Sequence, residues 1–66
     1  MCLSTAYADT KAPENVMARN VTTITFDGDE IILKDLMETE TRIVGKLVLV
    51  DLVNGTVIID TDSGVN

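Results

Sequence analysis

The chain has 66 residues, 45% of them hydrophobic, with 11 acidic against 5 basic side chains for a net charge of −6, one cysteine and no histidine. So short a chain forms one domain, residues 1–66, and buries only about 60% of the surface its unfolded form exposes, so leftover apolar surface points to a homodimer. The negative charge excludes nucleic acid as a partner, no apolar run approaches the ~20 residues of a membrane span, no leader pattern opens the sequence, and a lone cysteine fits a reducing, cytoplasmic location.

Cys2 to Ala8 reads as a first strand, with Leu3, Thr5 and Tyr7 alternating against Cys2, Ser4, Ala6 and Ala8. Lys11 to Ala18 contains the one proline and reads as a loop with a helical turn. Asn20 to Phe26 is dense in β-branched residues and reads as a second strand. Asp27-Gly28 separates it from a third, Glu30 to Lys34, as a hairpin with a type I′ turn. Asp35 to Glu40 reads as a loop that tucks Leu36 and Met37 underneath.

Arg42 to Val53 is long for a strand, and Gly45 marks a bulge or bend within it. Its run Leu47 to Val50 is apolar on both faces, one for the core and one for a partner chain. Asn54-Gly55 then leads as a hairpin pair into a last strand, Thr56 to Asp60, and residues 61–66 form a frayed polar tail. These elements predict an all-β fold, a small five-stranded SH3-like or Sm-like barrel, with an OB-type arrangement as the alternative.

Without histidine the chain lacks the commonest general base and the commonest imidazole ligand. Its four glycines are isolated, so no phosphate-binding loop exists. Met17 and Met37 read as core fillers. Asp9, Asp35, Asp51 and Asp60 sit at strand ends, where turn-forming roles explain them. Cys2 has two readings. It is a small buried hydrophobe at the start of a strand, or its thiolate chelates a metal together with its own nitrogen. With Met1 removed, two copies related by a two-fold axis would supply an N2S2 square, which suits Ni(II) or Cu(II). With Met1 retained, its amine, the Cys2 amide and the Cys2 thiolate would bind one metal per chain. An enzyme with an N-terminal cysteine nucleophile is disfavoured, because the chain is too short to build an oxyanion hole and a substrate pocket.

The start Met1-Cys2-Leu3-Ser4, the segment from Phe26 to Leu36 (FDGDEIILKDL) and the stretch Val48-Leu49-Val50-Asp51-Leu52-Val53-Asn54 leading into Val57-Ile58-Ile59 resemble the CooT family of small nickel-binding proteins. The resemblance covers nearly the whole chain. It implies a non-catalytic homodimer in which Cys2 binds Ni(II), with Met1 contributing its amine if retained. Such a protein would act as a metallochaperone that supplies nickel for carbon monoxide dehydrogenase maturation, with that enzyme or other nickel accessory proteins as partners. The competing reading is a dimeric interaction or regulatory module in which Cys2 is structural and the face of Val48 and Val50 meets the partner.

Overall fold

The computed structural model describes residues 3–61. In chain order it contains β1 (Ser4–Ala8), a 3-10 turn (Pro13–Asn15), β2 (Val16–Asp27), β3 (Glu30–Asp35), β4 (Glu40–Val44), β5 (Lys46–Asp51) and β6 (Thr56–Asp60). All belong to one sheet in the order β4-β3-β2-β1-β6-β5. Every pairing is antiparallel except that of β1 with β6. The all-β expectation holds, and among the described residues no helix is long and apolar enough to cross a membrane.

The shape of the sheet comes from β2, whose 12 residues serve two neighbours. Its first half, Val16 to Val21, pairs with β1, and from Val21 onward it pairs with β3. Between the halves, Asn20 adopts a left-handed φ of 57° and the register slips between Val21 and Thr23. Asparagine tolerates that conformation better than most residues, and an extra residue in a ladder bends its strand. The strand begins at Val16 rather than Asn20, because the free edge of β1 offers a ladder to residues whose sequence looked loop-like.

A second pinch lies at Gly45. The long segment expected from Arg42 to Val53 divides there, β4 pairing with β3 and β5 with β6. The Gly45 amide donates to the Asp29 carbonyl at 3.4 Å, and a Cβ at this position would collide with the Asp60 carbonyl oxygen. Only a residue without a side chain permits that approach. The division makes six strands where five were expected, and the sheet stays open between β4 and β5 instead of closing as a five-stranded barrel.

Folding the sheet at β2 brings Ile31 and Leu33 of β3 against Ala6 of β1 and Val57 and Ile59 of β6, with Val21 at the corner. The core is therefore small. Pairing puts Leu47 opposite Ile59 and Val50 opposite Val57, so both lie on the core side of β5, yet they remain 37% and 43% exposed. Val48 and Leu49 are exposed as well. Among the described residues neither face of β5 is fully covered, which corrects the expectation that one face fills the core.

Both hairpins differ in detail from the sequence reading. Asp27 pairs with Glu30, so the turn residues are Gly28 and Asp29, and only Gly28 has positive φ, the signature of type II′ rather than I′. Asp51 pairs with Thr56, which makes residues 52–55 a four-residue loop with Gly55 at φ 65°. Leu36 is half exposed and Met37 is 82% exposed, so neither is tucked under the sheet and Met37 is no core filler. Thr61 is not frayed, since its amide donates to Asp9 Oδ1 at 2.9 Å; the rest of the expected tail lies outside the described residues.

Two substitutions test this account of the fold. Gly45→Ala should cost about 1–3 kcal/mol, because the new methyl must push against backbone rather than a movable side chain. Leu33→Ala should cost about 2–5 kcal/mol as a cavity in a core this small. Urea unfolding of each variant against the parent measures both, and a Gly45→Ala variant of unchanged stability would remove the pinch from the account.

Candidate functional site

Met1 and Cys2 lie outside the described residues, so the ground for the site is what surrounds Leu3. Ser4 faces Val21 across the β1–β2 ladder, and Val21 faces Asp35 across β2–β3. The Leu36 amide donates to the Asn20 carbonyl at 2.9 Å, which fixes the 35–39 turn beside the β2 corner. Two strand spacings, roughly 10 Å, thus separate the start of β1 from that turn. On the other side of β1 the Thr5 amide donates to the Gly55 carbonyl at 2.8 Å, and a Cβ on Gly55 would stand 2.9 Å from the Leu3 carbonyl oxygen. The loop 52–55 therefore lies directly against Leu3.

Each of these turns is held by one aspartate, whose carboxylate bonds within its own turn. Asp35 Oδ1 accepts from the amides of Met37 and Thr39, both at 2.9 Å. Asp51 Oδ1 accepts from the amides of Val53 and Asn54 at 3.1 Å, and its Oδ2 accepts from Asn54 Nδ2 at 2.7 Å. The Asn54 side chain first, and then its amide, hold the Asp51 carboxyl below the ordinary carboxylate range. With both aspartates bonded within their own turns, the tips present Leu36, Met37 and Glu38 on one turn and Leu52 and Val53 on the other, Val53 at 94% exposure, with Leu3 between them.

The opposite end of the sheet gathers another set of acidic side chains. The Gly28–Asp29 turn, Gly45, Asp60 and Asp9 meet there, linked by the Gly45 amide to Asp29, the pairing of Lys46 with Asp60, and the Asp9 carboxylate to Thr61. Asp27, Asp29 and Glu30 add charge, and Arg42 answers Glu30 at 2.9 Å and Asp27 at 3.7 Å on an exposed face, where such pairs contribute little. Among the described residues no group of three or more aspartate, glutamate, cysteine or histidine side chains could hold a metal. Asp35 and Asp51 act as turn formers, as their positions suggested, whereas the Asp9 carboxylate accepts from Thr61, 52 positions away. Sequence reasoning missed the bracing role of Gly55 and the gathering of Leu3, Leu36, Met37, Leu52 and Val53 at one end; the spacing Asp51-x-x-Asn54 was the available signal for the capped loop.

A family model described as CO dehydrogenase accessory protein CooT matches residues 1–60. No curated protein and no solved structure matches the chain.

Because the Asp51 carboxyl is held below its unfolded value of about 3.9, its cap is fully present above that pH and is lost as pH falls through the depressed folded value. Asp51→Ala should therefore melt at lower temperature than the parent near pH 7, and the gap should close on acidification below about pH 4. Thermal melts across that range check this; a gap independent of pH would mean that the carboxylate is not the cap.

Proposed function

The chain belongs to the CooT family of CO dehydrogenase accessory proteins, and from that membership we propose that it binds Ni(II) through Cys2 at a site shared by two copies and supplies it for maturation of that enzyme. In this reading Met1 is removed and Cys2 gives its thiolate and its α-amine; with Met1 kept, the Met1 amine, the Cys2 amide and the Cys2 thiolate would instead bind one metal per chain. Nitrogen and thiolate in a square arrangement suit Ni(II), and few protein ligands favour release to an acceptor. The protein catalyses nothing in this scheme. It carries an ion.

The observation that supports the reading is the character of the ground around Leu3. Apolar surroundings suit a thiolate-bound metal, and here Asp35 and Asp51 are bonded within their own turns while Leu36, Met37, Leu52 and Val53 are exposed, with Glu38 the exposed carboxylate of the 35–39 turn. The second copy has its support in β5. The edge strand β4 carries Glu40 and Arg42, which discourage strand addition, and β5 has a register slip between Leu47 and Leu49. Burial of Leu47, Val48, Leu49 and Val50 therefore calls for face packing against another copy rather than a continued ladder.

Adding Ni(II) to the protein should produce thiolate-to-nickel charge-transfer absorption that saturates at one nickel per two chains and disappears in Cys2→Ser. Val50→Lys should sediment as a monomer and lose the shared endpoint while keeping its fold. Unchanged nickel affinity in Cys2→Ser would end the proposal, and a monomeric parent saturating at one nickel per chain would end its shared form.

A further inference from the structure

We propose that Asn54 is a site of spontaneous deamidation through Gly55, and that its conversion loosens the loop bracing Leu3. The inference stands apart from the metal reading. Asn54 is exposed, and the residue after it has no side chain to crowd the attacking nitrogen. The other described asparagines, Asn15 and Asn20, precede Val16 and Val21, whose branched Cβ atoms shield the corresponding amides.

The chemistry needs only water. The Gly55 backbone nitrogen attacks Asn54 Cγ; the new N–Cγ bond forms as the Cγ–Nδ2 bond breaks, and Nδ2 leaves as ammonia with the proton from the Gly55 amide. Water then opens the five-membered imide at one carbonyl or the other. The product carries aspartate at position 54, or isoaspartate, in which the main chain runs through the former side chain.

Either product damages the loop. The 2.7 Å bond from Asn54 Nδ2 to Asp51 Oδ2 is replaced by two facing carboxylates. Isoaspartate also lengthens the backbone ahead of Gly55, whose carbonyl receives the Thr5 amide and whose Cα lies close against the Leu3 carbonyl. Asp51 meanwhile acts as a brake, because its bonds restrain both the amide and the carboxamide of Asn54.

The test is to age the full chain at mildly alkaline pH, map peptides for amide-to-acid conversion, label isoaspartate with its methyltransferase, and follow hydrogen exchange at the Thr5 amide. Conversion at Asn54 should run several-fold faster than at Asn15 or Asn20, faster still in Asp51→Ala, and not at all in Asn54→Gln; the Thr5 amide should lose protection in step with it. Conversion at Asn15 or Asn20 keeping pace with Asn54 would overturn the site. Conversion with Thr5 protection unchanged would overturn the loosening. Both criteria are read on the parent chain, so they do not depend on whether Asp51→Ala folds.

Discussion

The bend in β2 is the constraint on which the remaining structure depends. A strand of 12 residues that stayed straight would lay β1 and β3 along separate stretches of one flat sheet and leave the apolar face of each in water. The left-handed turn at Asn20 and the slip after Val21 fold one stretch over the other, so that Ile31 and Leu33 meet Ala6, Val57 and Ile59. The return crossing, from β4 to β5, then has to be made in a single residue against the end of β6, and glycine is the residue that fits.

That geometry produces two unlike ends. At the corner of β2 the first described residue, Leu3, emerges between two turns whose aspartates are occupied with backbone amides. At the other end acidic side chains cluster around the Gly45 crossing. Asp9, Asp27, Asp29, Glu30 and Asp60 lie toward that other end, while Glu38 and Glu40 are exposed on the Leu3 side. The core that results is too small to hide the apolar residues of β5, and the shortage of burial expected from length alone has a location, the open side of the sheet between β4 and β5.

Much of this was legible in the sequence because it was local. β-branched runs marked β2 and β3, Gly28 and Gly55 marked turns, Gly45 marked the break in the long fourth segment, and Asp35 and Asp51 were readable as turn formers. What was not legible depended on distant partners. Val16 to Arg19 became strand because β1 lies beside them. Met37 looked like core in a one-dimensional pattern and became exposed because Asp35 turns the chain outward. The brace between Gly55 and Leu3 spans nearly the full length of the chain and has no local signature. For the proposed site, the family resemblance carried the metal, and the residues themselves carried only a thiol beside a nitrogen.

The central claim is that metal chemistry belongs to the Leu3 end of the sheet and not to the acidic end. Backbone amide spectra recorded while Ni(II) is added test it most directly. The account predicts shifts concentrated at Leu3, Ser4, Leu36 and residues 52–56, with Asp9, Gly28, Asp29, Gly45 and Asp60 unmoved. Shifts concentrated instead on Asp9, Asp29 and Asp60 would place the ion among the carboxylates and contradict it.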